Sequence, residues 1–251
     1  MEAELVMRPL LLAVLALALP LRRSPPDAGR QSNPTPPASL HYVAHWRLLA
    51  VGEATLVSSK AADGQRVLAF NADSNGVVNL FYPVHDRLRS TVRLDPFCTA
   101  NADNETAEGR RHRRTQIAYH PDQHQLVLDE TDLAAQPPAT KHEVKPIPGC
   151  VLDLLGAMAF LRAQPLRLGD SYALQVNQGG ETSNVNVKVD LRETVSTPAG
   201  RFTALRAVPT ALQPLQHPGQ LWIWFSDDAL HLPVQIEAKV SWGTLLAQLA
   251  P

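Results

Sequence analysis

The sequence predicts a mainly β protein: a curved antiparallel sheet, as a half-barrel or barrel-like sandwich, with one buried helix near residues 151–163. Three observations lead there. Apolar and polar residues alternate with a period of two from residue 40 onward, and turn signals recur between those stretches. A single segment, residues 151–163, breaks the period with a run of helix formers.

The first strand signal places Tyr42, Ala44, Trp46 and Leu48 on one face and His41, His45 and Arg47 on the other. Val185, Val187, Val189 and Leu191 alternate with Asn186, Lys188 and Asp190; Val234, Ile236, Ala238, Val240 and Trp242 alternate with Gln235, Glu237, Lys239 and Ser241. One wet face and one dry face is the antiparallel habit. Between these stretches sit Asp63-Gly64, Asn75-Gly76, Gly179-Gly180, a Thr197-Pro198-Ala199-Gly200 turn, and His217-Pro218-Gly219. In the fourth of these, proline fixes φ at the second turn position and glycine relaxes the last.

Residues 151–163 read VLDLLGAMAFLRA, with only Asp153 and Arg162 charged. Asp153 falls in the first turn and Arg162 in the last, the signs that complement the helix dipole. A helix apolar nearly all round must be buried on most sides. Three strands are apolar on both faces: residues 221–225, 67–72 and 126–128. Their second face must meet the helix, another sheet or an apolar ligand. In residues 221–225, Trp222 and Trp224 oppose Leu221, Ile223 and Phe225. Two such rings carry too much apolar surface to leave in water. The expectation is a hydrophobic pocket beside the helix, lined by Trp222 or Trp224 together with Met158 and Phe160.

The 251 residues suit one large domain, and 45% hydrophobic content supplies a core. Twenty-three basic and 24 acidic side chains nearly cancel, which gives no general electrostatic reason to bind nucleic acid or anionic lipid heads. Residues 10–19 are uninterruptedly apolar behind Arg8 and before Pro20. A helix of that length spans ~15 Å, about half a bilayer core. Residues 1–20 therefore read as a secretory signal, the alternatives being an uncleaved anchor or a short buried helix. Residues 21–39 read as a proline-rich extended linker, with no aliphatic side chain larger than alanine from Ser24 to Ser39. Residues 40–251 form the single β-rich domain.

Catalytic motifs are missing: there is no G-x-S-x-G, H-E-x-x-H, P-loop or G-x-G-x-x-G. His41 and His45 share a strand face but sit ~13 Å apart, too far for one metal ion. His120, Asp122 and His124 belong to a turn, and Asp227, Asp228 and His231 to another; solvated turns account for both. The basic run at residues 110–114 reads as a charge-guarded edge strand, with anionic contact as the alternative. Asn104-Glu105-Thr106 is a glycosylation sequon by pattern. Cys98 and Cys150 are two unrelated small apolar residues in a reducing cytosol, or one disulfide closing a loop of about fifty residues after export.

These landmarks resemble an exported bacterial family known as domain of unknown function 3108. The matching residues are Tyr42, Trp46 and the Val51-Gly52-Glu53-Ala54 stretch; Asp153, Phe160, Leu161 and Arg162 with Pro165, Leu166 and Gly169; and Thr197 to Phe202. Trp222, Trp224, Ser226, Asp227, Asp228, Pro233, Val234 and a final Gly243 complete the set. Where the family commonly shows a serine and tyrosines in the helix, this chain has Gly156, Met158 and Phe160. The resemblance covers about residues 40–249 and implies an exported antiparallel β protein with no family catalytic residues. The resulting expectation is a monomeric, non-catalytic envelope protein that needs no cofactor or metal and binds an apolar or lipid-like ligand between sheet and helix. The alternatives are an envelope scaffold with a protein partner, and a hydrolase.

Overall fold

In the computed structural model, residues 37–47, 49–76, 78–211, 220–240 and 243–251 are described. The expected leader, most of the linker, Leu48, Trp242 and the 217–219 turn lie outside them. The alternating segments become strands: β1 (Ser39–Trp46), β2 (Leu49–Lys60), β3 (Gln65–Ser74), β4 (Val84–Leu94), β5 (Phe97–Glu108), β6 (Arg111–His120), β7 (Gln125–Asp132) and β8 (Ala139–Pro146). A second series follows: β9 (Ser171–Gln178), β10 (Glu181–Thr197), β11 (Gly200–Ala211), β12 (Gln220–Ser226), β13 (Pro233–Val240) and β14 (Gly243–Ala250). Two helices interrupt them, the one-turn α1 (Val78–Phe81) and α2 (Leu154–Arg162).

All fourteen strands form one antiparallel sheet, in the order β8-β7-β6-β5-β4-β3-β2-β1-β14-β13-β12-β11-β10-β9. Strands consecutive in the chain are neighbours, with one exception. β1 pairs with both β2 and β14, so β8 and β9 become the two edges although they follow each other in sequence. The link between those edges carries α2.

That link shows how strongly the sheet curves. α2 packs against β3, β4 and β5, and also against β9. Ten strand steps separate β5 from β9, ~48 Å in a flat sheet, whereas nine helical residues span only ~13 Å. The sheet must therefore curl around the helix. Contacts across the gap agree: the Tyr119 hydroxyl donates to Asn177 Oδ1 at 3.1 Å, and Lys145 pairs with Glu181 at 2.6 Å.

The chain closes this curl just ahead of α2. Val151 O accepts from Thr99 N of β5 at 3.0 Å, and Leu152 exchanges bonds with Gln175 and Asn177 of β9 at 2.9 and 2.7 Å. The helix then begins at Leu154, later than the composition of residues 151–163 suggests, because the backbone of Val151 and Leu152 is already committed to strands. Asp153 is the N-cap rather than a first-turn residue: its carboxylate accepts from Gly156 N at 2.9 Å. The same carboxylate accepts from Thr99 Oγ1 at 2.8 Å and from Ser90 Oγ. A Cβ on Gly156 would lie 2.6 Å from Thr99 Oγ1 and 2.8 Å from Asp153 Oδ1, so only glycine fits there. Beside this node Cys98 and Cys150 are joined as a disulfide, with Cα atoms 5.4 Å apart.

The core follows from this closure. Leu40, Tyr42, Leu56, Leu68 and Val92 gather with Leu155 of α2; Leu174, Val189, Leu205, Ile223 and Phe225 gather with Leu161. A third group holds Ile117, Tyr119, Leu126 and Leu128 with Val151. The basic run at residues 110–114 does not guard an edge. β6 lies between β5 and β7, and Arg113 and Arg114 pair across it with Glu130 and Asp103.

Asp153→Ala should lower stability by about 2–4 kcal/mol, because it removes the cap and strands two buried hydroxyls. Asp153→Asn should cost less, since the amide oxygen still caps. Urea unfolding of the two variants checks the order. Reducing the disulfide should cost about 4 kcal/mol for a loop of this length, read as a shift of the same urea midpoint.

Candidate functional site

Cross-strand partners share a face, so the register identifies what the concave side presents. Ala247 lies opposite Ala44 and Ile236, and Ile236 opposite Ile223. Leu245 lies opposite Trp46 and Ala238, and Ala238 opposite Leu221. Two residues further along β1 and β14, Tyr42 and Leu249 belong to the core that includes Leu155 of α2. This single apolar stripe is buried where α2 lies and only partly covered toward the β1–β2 end. There Ala44, Trp46, Leu221, Ile236 and Ala238 are partly exposed, and Leu245 reaches 37%.

On β3, β4 and β5 the same face is mixed, with Phe70, Ala72 and Leu88 beside polar side chains. Leu88 lies opposite Phe70 and Asn104, and Asp86 opposite Ala72 and Thr106. Asp86 is half-buried and its Oδ1 has no hydrogen-bond partner. Its carboxyl is pushed up to about 6, first by burial and then by the Glu108 carboxylate. Burial also pushes the hydroxyls of Tyr42 and Tyr119 well above the ordinary tyrosine range. Both stay as donors, Tyr42 to Pro233 O at 2.8 Å and Tyr119 to Asn177.

Two small cavities touch α2. One of about 10 Å³ is lined by Leu40, Leu56, Leu68, Met158 and Arg162. The other, of about 40 Å³, is lined by Leu88, Asn104, Tyr119, Asp153 and Asn177. A water needs ~10–15 Å³ and a drug-sized ligand ~300–1,000 Å³, so these are water-sized spaces. The Asn104 side chain lines the second, with its Oδ1 buried.

Met158 and Phe160 lie on α2 as expected, both partly buried; Phe160 meets Phe97 edge-on at 5.5 Å. Trp224 belongs to the same buried cluster as Leu155, and Met158 and Trp222 pack against that cluster. The register pairs Trp224 with Arg206 and Gln235, and Trp222 with Glu237, so both rings point to the convex face. What covers them is the far half of the β10–β11 hairpin. β10 bulges between Val189 and Leu191 and packs over β13 and β14, two strands it does not pair with. Gln248 Nε2 donates to Ser196 O at 3.0 Å, and Ala199 N to Leu249 O at 3.0 Å. Trp224 is 5% exposed and its indole N–H donates to Glu193 at 2.8 Å; Trp222 is only partly buried.

The remaining acid–base groupings build turns. Asp228 accepts from Ser226 Oγ at 2.9 Å and Leu230 N at 2.8 Å, while the His231 ring faces Arg162 O at 3.4 Å rather than the serine. His120, Asp122 and His124 flank or enter a 3₁₀ turn, and the described residues hold no cluster of three or more potential metal ligands. Sequence reasoning missed Ser90, Thr99 and Asp86. Their positions in the strand pattern give no signal, since only the curl of the sheet brings them to Asp153 or to the mixed face.

An open antiparallel sheet curled round one helix defines a β-barrel-like protein. The chain belongs to the family of proteins of unknown function DUF3108, whose model matches residues 41–250. It is similar in fold to a β-barrel-like protein of domain of unknown function DUF1849 from Brucella abortus, at 7% identity and TM-score 0.55, covering 84% of this chain and 94% of that one. A protein with a YmcC-like fold from Bacteroides fragilis matches at 11% identity and TM-score 0.32, covering 84% and 92%. No curated protein matches the sequence.

Trp224→Ala should destabilise by about 3–5 kcal/mol, as large-to-small core changes do, and Trp222→Ala by less. Paired urea curves measure this. Asp86 binds its proton more tightly folded than unfolded, so ionising it costs stability at neutral pH. Asp86→Asn should therefore be the more stable protein near neutrality, with the gap closing as pH falls from about 7 through about 6 toward about 4. A pH series of melting temperatures for both proteins reads it directly.

Proposed function

We propose that this chain is an exported, non-catalytic protein of the cell envelope that holds an apolar ligand, such as an acyl chain, against its concave face. The observation that supports the reading is the half-uncovered stripe of Trp46, Leu221, Ile236, Ala238, Leu245 and Ala247, continuous with the core yet only partly covered. A stripe of that kind is unfavourable in water unless something apolar covers it. Export rests on the apolar run at residues 10–19, the size of a signal's apolar region. The ligand site is the stripe, not the water-sized cavities beside Met158. Met158 and Phe160 would form its floor, and Trp222 and Trp224 would have no part in it.

The purified protein should take up a fluorescent fatty acid and yield bound lipid to mass spectrometry. Ala238→Arg sets a charge in the half-exposed stripe and should weaken uptake about tenfold or more with little change in melting temperature. Uptake that is undetectable in the wild type would leave the scaffold reading in its place.

A further inference from the structure

The β3–β4 connection holds three consecutive apolar residues in the open: Leu80 is 80% exposed, Phe81 81% and Tyr82 51%. Singly exposed apolar residues are ordinary, but a contiguous patch on a fixed turn calls for a partner. This turn is fixed. Tyr82 N donates to Val78 O at 2.8 Å, and Ser74 Oγ accepts from Val84 N at 2.8 Å while donating to Asn79 at 2.8 Å. The neighbouring β5–β6 turn braces it from the side. Gly109 N donates to Pro83 O at 2.8 Å, and a Cβ on Gly109 would lie 2.9 Å from the Tyr82 ring. Gly109 also has φ +59°, so glycine is required twice over.

That bracing turn supplies charge. Within the basic run, His112, Arg113 and Arg114 each face an acid: Glu105 at 2.8 Å, Glu130 at 3.5 Å and Asp103 at 2.7 Å. Arg110 and Arg111, the two nearest the apolar tip, are exposed and make no ion pair among the described residues. Glu108 lies opposite Arg111 in register without pairing with it. An apolar wedge beside two uncommitted arginines suits a boundary where acyl chains lie below and anionic headgroups above.

We propose that the β3–β4 tip docks this protein on an anionic lipid surface. Leu80 and Phe81 enter the acyl boundary, Tyr82 sits at headgroup level, and Arg110 and Arg111 meet the phosphates. A groove on another protein is the competing occupant, and it has no need of the two free arginines. The tip stands at the same end of the sheet as the uncovered apolar stripe, but the docking does not depend on ligand uptake.

The test is co-sedimentation of the full chain with phosphatidylcholine vesicles, with and without phosphatidylglycerol. The wild type should bind the anionic vesicles more tightly, and Leu80→Ser with Phe81→Ser should weaken that binding about tenfold or more at an unchanged melting temperature. Arg110→Gln with Arg111→Gln should abolish the preference for anionic vesicles. Phe81→Trp should gain fluorescence that brominated lipid quenches. A wild type that ignores both vesicles, a serine variant that binds as well as the wild type, or a Phe81→Trp signal that brominated lipid leaves unquenched overturns the proposal.

Discussion

The fold turns on the carboxylate of Asp153. A buried ionisable group is costly unless its oxygens are satisfied, and here each one is: Thr99 Oγ1 and Gly156 N on one oxygen, Ser90 Oγ on the other. The Thr99 hydroxyl in turn accepts from Asp153 N at 2.9 Å. One side chain thus sets the first residue of α2 and fixes it to β4 and β5. The residues just before it, through Leu152 and the Cys98–Cys150 bond, fasten β9 and β5 to the same spot. The sheet's two edges never pair with each other. The link between them does the joining.

Closure by a link rather than by strand pairing has a consequence at the other end. α2 is only nine residues long, so it fills the concave side near its own entry point and leaves the far part of the stripe partly bare. The two walls also differ. The β1, β13 and β14 face carries Ala44, Ile236 and Leu245, whereas that of β4 and β5 carries Asp86, Asn104 and Thr106 beside Leu88.

The convex face shows a separate solution to the same problem of apolar surplus. β10 is seventeen residues long, more than twice β9, and its far half has no partner on the β9 side. A bulge turns that half, with β11, across the sheet, where it covers Trp224 and supplies Glu193 to the indole N–H. Strand β12 is apolar on both faces because it lies between two coverings: the core that includes α2 on one side and a folded-back hairpin on the other.

Much of this was legible in the residues. Period-two alternation determined the strands and their antiparallel pairing, since each strand needs one dry face. Glycine and proline placed the turns, and the helix-forming run with Asp153 and Arg162 at its ends announced α2. Two cysteines far apart in sequence came together as one disulfide. What pattern could not decide was which side of the sheet each apolar face would meet. Alternation states that Trp222 and Trp224 oppose Ile223 and Phe225, but the direction of curl and the fold of the β10–β11 hairpin assign the two faces. The helix start was hidden for a related reason: Val151 and Leu152 suit a helix in isolation and extend only because β5 and β9 offer them backbone partners. Local periodicity is a property of neighbours a few residues apart. Asp153 is buried by Ser90 and Thr99, 63 and 54 residues away, and closure adds β9 on the other side of α2; only the tertiary structure brings these into contact.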